Sequence, residues 1–166
     1  MAVKPRIAVV GLGSMGRRHA RLLLERPDVS VEVVEPDAGT LEFARGQLGP
    51  LNAHASFEAM LQSAPEMVLV ASPTGLHADQ TVRALESGAH VFCEKPMSDN
   101  LADAVRMKHA ADRSGKVLNI GFHLHFSDSL AALKGMIDRG ELGKVLHAHM
   151  RVGTYITLVN SVSRYQ

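Results

Sequence analysis

Residues 6–10, Arg-Ile-Ala-Val-Val, form a β-branched run that breaks at Gly11 and resumes as a helical pattern beyond Gly13 and Gly16. No other stretch restricts the fold as much. Bounded by Pro5 and Gly11, the run predicts a strand buried on both faces, as in a parallel sheet. Gly11 permits a tight turn, Gly13 lets a backbone approach a pyrophosphate, and Gly16 lets the helix pack closely on the strand. The free N–H groups and positive dipole end of that helix favour an anion, with Ser14 and Met15 in its first turn. Three glycines at this spacing occur in many folds, so the rest of the chain must decide.

A helix is expected over residues 14–25, with Met15, Leu22 and Leu23 as its apolar stripe and Pro27-Asp28 as its stop. A strand over 29–34 then ends in Glu35, about 20 residues past Gly16, the spacing of the acid that binds the adenosine ribose in an NAD site. A carboxylate there would repel a 2′-phosphate, which favours NAD over NADP, although Arg45 could blur the preference. An ordinary solvated glutamate at a strand end is the alternative.

A helix from Asp37 or Ala38 to Leu48, a short strand over 51–55 and a helix over 56–62 follow, the last capped by Ser56 with Glu58 in its first turn. The apolar run at 66–71 is a strand that ends in Ser72-Pro73-Thr74-Gly75, the kind of polar turn at which an open α/β sheet presents ligand contacts. Next come a helix over 76–87 closed by Gly88, a strand over 89–93, the tripeptide Glu94-Lys95-Pro96, a helix over 101–114 between Asn100 and Gly115, and a strand over 116–121. This alternation predicts an α/β fold, a doubly wound parallel Rossmann sheet with right-handed crossovers and helices on both faces.

From Phe122 the pattern changes. His123, His125 and Phe126 lead into a helix over 128–139, where Leu130, Leu133, Met136 and Ile137 form one stripe. Residues 145–152 alternate, with Leu146, Ala148, Met150 and Val152 on one face and His147, His149 and Arg151 on the other, and predict an amphipathic strand that the run at 155–159 could extend. The expected organisation is a dinucleotide-binding domain over 1–121 and the beginning of a second, α+β domain over 122–166.

Composition removes other classes. A formal net charge of +1 without a Lys/Arg block gives no reason to expect nucleic acid or a membrane surface as partner. The single cysteine, Cys93, excludes an internal disulfide, fits a reducing compartment, and reads as a small buried hydrophobe. No apolar run approaches the ~18 residues that span a bilayer, and the N-terminus leads straight into a strand, so a cytoplasmic location is expected. The pairs His123/His125 and His147/His149 lack a Cys or acidic third ligand nearby, so no metal site is expected.

Four motifs in order, Gly11-Leu12-Gly13-Ser14-Met15-Gly16 with His19, Ser72-Pro73-Thr74 with His77, Glu94-Lys95-Pro96, and Gly140-Glu141-Leu142-Gly143-Lys144-Val145, resemble the N-terminal half of the Gfo/Idh/MocA oxidoreductases. The resemblance implies an NAD(P)-dependent enzyme that passes hydride between the nicotinamide and a carbinol carbon of a sugar, inositol or related polyol. By position, Gly11, Gly13, Ser14, Met15 and Gly16 would hold the pyrophosphate and Glu35 the adenosine ribose. Ser72, Pro73, Thr74 and His77 would line the nicotinamide side. Glu94 and Lys95 would sit at the reaction centre, and Gly121 and His123 would border the substrate. A lysine ammonium can polarise the reacting oxygen and assist proton transfer while the adjacent acid orients it.

Two departures stand out. His123-Leu124-His125-Phe126 replaces the Asn-Arg-Arg-Phe of many members, and the helix that supplies the family's Asp and His is missing. A truncated gene product or fragment is therefore expected, inactive by itself, with an NAD-binding module as the alternative function. Sheet-mediated homo-oligomers are common in the family, and an edge strand at 145–152 would favour self-association. Apart from the resemblance, Lys95 reads as a loop lysine, His19 as packing near the phosphate turn, and His77 as either a nicotinamide contact or a cap for its helix.

Overall fold

The computed structural model describes residues 3–151 and Gly153 of the 166-residue chain. They fall into two compact units, Met1–Phe122 and His123–Gln166. The first unit alternates β1 (Arg6–Val10), α1 (Ser14–Leu24), β2 (Ser30–Val34), α2 (Ala38–Leu48), β3 (Asn52–His54), α3 (Phe57–Gln62), β4 (Met67–Val70), α4 (Thr74–Glu86), β5 (His90–Cys93), α5 (Leu101–Ser114) and β6 (Leu118–Ile120). The strands form one sheet in the order β3-β2-β1-β4-β5-β6, and every neighbouring pair is parallel. The strand order reverses between β1 and β4, so a crevice opens beyond the carboxyl ends of those two strands.

Alternate residues of each strand enter two cores. Ala8, Val10, Val68, Val70, Val91 and Cys93 pack with Phe57 and Met60 of α3, Ala78, Val82 and Leu85 of α4, and Met107 and Ala110 of α5. On the other side Val9, Val33 and Leu69 pack with Leu12, Ala20 of α1 and Ala44 of α2, a smaller set among the described residues. Strands buried on both faces leave no polar alternation, which is why β1 and β4 read as continuous apolar runs.

Two expectations about the helices are corrected. The inward stripe of α1 is Gly16, Ala20 and the partly buried Leu23, whereas Met15 is 40% and Leu22 54% exposed. Small residues at positions i and i+4 let this helix lie close to the sheet, and the bulkier ones turn outward. The helix after β4 begins at Thr74 rather than at Leu76, because Pro73 (φ −56°, ψ 141°) caps it and leaves the next residue free to turn.

In the second unit, His123–Phe126 form a 3₁₀ turn and Asp128–Asp138 form α6, whose side chains are not buried. A 3₁₀ turn rotates about 120° per residue, so His123 and His125 do not share a face as they would on a strand. The strand expected over 145–152 does not form: residues 145–151 have no regular structure. A strand exists only through a ladder partner, and none of the described strands pairs with residues 145–151. The possible extension at 155–159 lies outside the described residues. Among the described residues no helix is long and apolar enough to cross a membrane.

Candidate functional site

The turn between β1 and α1 is built from glycines with different tasks. Gly11 has φ +85°, and a Cβ there would stand 2.8 Å from the Ser72 Cα of the neighbouring turn. A Cβ on Gly16 would collide with the Gly11 carbonyl oxygen, so the helix lies directly on the turn. Gly13 differs. Its φ of −59° suits any residue, and a Cβ there would meet nothing within 4 Å. Neither backbone nor packing requires glycine at this position, so the open space in front of it is the part of the turn left for a ligand.

Gly13 is also the N-cap of α1, with no side-chain cap and no acidic residue in the first turn. The same holds for α4, capped by Pro73. By contrast Asp37, Ser56 and Asn100 accept the N–H groups of Thr40, Ala59 and Asp103 at the starts of α2, α3 and α5. The helices that open at the switch point thus keep N–H groups for an anion, and those elsewhere on the sheet are closed by their own side chains. A dinucleotide pyrophosphate fits this cradle.

Glu35 stands at the carboxyl end of β2. Its Oε2 accepts the Leu12 N–H at 2.8 Å and its Oε1 the Asp37 N–H at 3.0 Å, which ties the acid to the glycine turn. Arg17 braces the same turn, with Nη1 donating to the Leu12 carbonyl at 2.8 Å and the guanidinium 4.9 Å from the Phe43 ring centroid. The Thr40 N–H holds the Asp37 carboxyl below the usual range, so a second carboxylate stands two residues from Glu35.

The turn after β4 is set by hydrogen bonds. The His77 ring, 2% exposed, spans two carbonyls, with Nδ1 2.9 Å from the Pro96 oxygen and Nε2 2.9 Å from the Ser72 oxygen. Both nitrogens face backbone, so the ring clasps the turn after β4 to the loop after β5 and offers no nitrogen to a ligand. Ser72 Oγ donates to Gln80 Oε1 at 2.6 Å. Thr74 is the first residue of α4.

Beyond β5, Glu94 is 8% exposed and Lys95 is exposed, joined to Pro96 by a cis peptide bond. His19 Nε2 donates to Glu94 Oε1 at 2.8 Å, and Glu94 Oε2 accepts the Lys95 N–H at 3.1 Å. Lys95 Nζ has no hydrogen bond or ion pair among the described residues. Burial pushes the Cys93 thiol up to about 11 against a small pull from the neighbouring Thr81 hydroxyl, a contact too loose to be a hydrogen bond for Thr81 Oγ1. The thiol is thus protonated at neutral pH and is no nucleophile. Of the sequence candidates, His123 belongs to the second unit and is exposed in its 3₁₀ turn.

Sequence reasoning missed the cluster of Glu32, His54 and Ser63. His54 Nε2 and Ser63 Oγ both lie 2.7 Å from Glu32 Oε2. The carboxylate stands between hydroxyl and imidazole, so the imidazole does not reach the hydroxyl, and the cluster ties β2 to β3 and the end of α3.

Residues 5–122 match the family model of the oxidoreductase family with an NAD-binding Rossmann fold, GFO_IDH_MocA. The chain belongs to the Gfo/Idh/MocA family. Among its relatives, the scyllo-inositol 2-dehydrogenase (NAD(+)) of Bacillus subtilis is 30% identical over 145 residues, covering 86% of this chain and 42% of that protein. The inositol 2-dehydrogenase of Rhodococcus jostii is 32% identical over 154 residues, covering 87% of this chain and 40% of the relative. Among solved Gfo/Idh/MocA-like structures, the scyllo-inositol dehydrogenase of Lactobacillus casei with bound NAD(H) and scyllo-inositol superposes with a TM-score of 0.77 at 27% identity, covering 86% of this chain and 43% of that one. The chain thus spans about 42% of the length of these relatives, the part that carries the Gfo/Idh/MocA Rossmann domain.

Proposed function

We propose that this chain supplies the cofactor-binding part of an NAD-dependent oxidoreductase, which passes hydride between the nicotinamide and a carbinol carbon of an inositol, sugar or related polyol. The observation that carries this reading is the pair of uncapped helix starts, α1 and α4, on either side of the switch point. When bound, the cofactor supplies or accepts the hydride. Gly11, Gly13, Ser14, Met15 and Gly16 bind its pyrophosphate through the turn and first-turn N–H groups. Ser72, Pro73 and Thr74 line the nicotinamide side, and His77 fixes their turn.

Lys95 carries the proton work. Its exposed ammonium, with no partner of its own, polarises the substrate oxygen and exchanges a proton with it, while Glu94 orients the lysine from the buried side. The substrate class rests on the relatives named for inositol, and self-association into a homo-oligomer in the cytoplasm completes the proposal.

Glu35 favours NAD over NADP, because its carboxylate, with that of Asp37 two residues on, would repel a 2′-phosphate on a ribose bound by Glu35. Calorimetric titration of the chain with NADH and NADPH tests this. We expect NADH to bind at least about tenfold more tightly, with Glu35→Ser narrowing the gap. Equal affinities would sink the assignment of Glu35, and no binding of either nucleotide would sink the proposed function.

A further inference from the structure

Glu94 is a buried carboxylate, and a buried carboxylate persists only where donors satisfy it. Its side chain has two: the Lys95 N–H at 3.1 Å and the imidazole of His19 at 2.8 Å, a residue 75 positions away on α1. Its own N–H is held by the Val70 carbonyl at 2.9 Å. The imidazole is itself located by the Phe92 ring, edge to face at a centroid distance of 5.6 Å. Space for both comes from Gly121, where a Cβ would stand 3.2 Å from Phe92 Cζ and 3.5 Å from Glu94 Cδ.

We propose that His19 is a positioning residue: through Glu94 it fixes the Lys95 peptide, and because it sits on the helix whose first turn faces the pyrophosphate, it holds the lysine in register with the cofactor. The second half of this statement rests on the function proposed above; the first half stands on the hydrogen-bond chain alone. The Lys95 side chain is exposed and unpaired, so nothing in its own surroundings sets its direction. The loop must do so, and the loop is pinned by Glu94 on one side and by His77 at Pro96 on the other.

Two substitutions separate the hydrogen bond from the packing. His19→Gln keeps a donor near the position of Nε2 and loses the ring; His19→Phe keeps a ring against Phe92 and loses the donor. The measurement is amide hydrogen exchange at Lys95 by NMR on the ligand-free 166-residue chain, with Val9 of β1 and Leu69 of β4 as references for the sheet. We expect the Lys95 amide to exchange about tenfold faster in H19F, with the reference amides unchanged, and to stay within about threefold of wild type in H19Q. Protection that follows the ring, kept in H19F and lost in H19Q, overturns the proposal, as does loss in both or in neither.

Titration with NADH then reads the register. The Lys95 amide signal should move on binding in wild type and H19Q but not in H19F, at affinities within about threefold of each other. A signal that still moves in H19F overturns the coupling. Failure of wild type to bind NADH would count against the dinucleotide reading alone, because the exchange comparison is made without ligand.

Discussion

The turn after β1 is shaped by side chains it lacks, and the turn after β4 by side chains it has. In the first, Gly11 takes a positive φ against Ser72 and Gly16 sits on the Gly11 carbonyl, so the backbone itself forms the wall. In the second, a buried imidazole reaches from Ser72 to Pro96 and a serine hydroxyl reaches Gln80. Both leave a helix start without a side-chain cap. A backbone wall is rigid and tolerates no added atom, whereas a side-chain clasp fixes a turn to a second loop that can carry chemistry.

Substitutions should break the two turns by different routes. Gly16→Ala should have the largest effect. Alanine in a helix gains ~1 kcal/mol over glycine, but the new methyl collides with the Gly11 carbonyl, and overpacking against backbone costs ~3 kcal/mol or more. Urea denaturation should therefore show a net loss of ~2 kcal/mol or more, together with loss of NADH binding; a stabilised Gly16→Ala would refute the close approach.

His77→Leu should rank close behind, at ~2 kcal/mol, since it removes the ring N–H that an inward carbonyl accepts and the polar bridge between the Ser72 and Pro96 carbonyls. Its mark is selectivity: exchange at the Ser72 turn and at Lys95 should rise together while β1 stays protected. Independent behaviour of the two loops would end the clasp.

A smaller effect is expected from pH. The Cys93 thiol ionises near 9 when unfolded and at about 11 in the fold, because burial disfavours the thiolate. A raised folded value means that this contribution is complete below pH ~9 and is lost as pH rises toward 11, with ~2 kcal/mol gone by pH ~10.5. The urea midpoint should fall between pH 8 and 10.5 in wild type, and less steeply in Cys93→Ala.

Gly13→Ala should change stability least, by ~1 kcal/mol or less, since its φ of −59° is open to alanine and the Cβ meets nothing within 4 Å, leaving only the poorer N-cap. Yet NADH affinity should fall by tenfold or more, because the methyl occupies the ligand's space. Undiminished binding would place the pyrophosphate elsewhere.

Local signals were legible where local physics decides. The strand–helix alternation, the caps Ser56 and Asn100, and the position of Glu35 at the end of a strand follow from patterns within a few residues, and the parallel sheet follows from the alternation. What the sequence could not reveal is long-range. Nothing in the spacing of His19 and Glu94, or of His77 and Pro96, announces a hydrogen bond across 75 or 19 positions. The outward turn of Met15 and Leu22 escapes a periodicity argument because glycine and alanine, weak in any hydropathy pattern, are what the close helix needs. Residues 145–152 fail for the opposite reason: the alternation is clean, but a strand is a property of two segments.

The unequal cores on the two faces of the sheet bear on how the chain breathes. The layer of α1 and α2, which carries the glycine turn and Phe43, is backed by fewer buried apolar side chains than the layer of α3, α4 and α5. Opening that thinner layer costs less than unfolding the whole, so proteolytic nicking should begin there. A ligand that bridges the start of α1 adds its binding free energy to the weaker layer first. In such a chain the cofactor acts as a removable part of the architecture, and its local concentration sets the lifetime of the half that holds it.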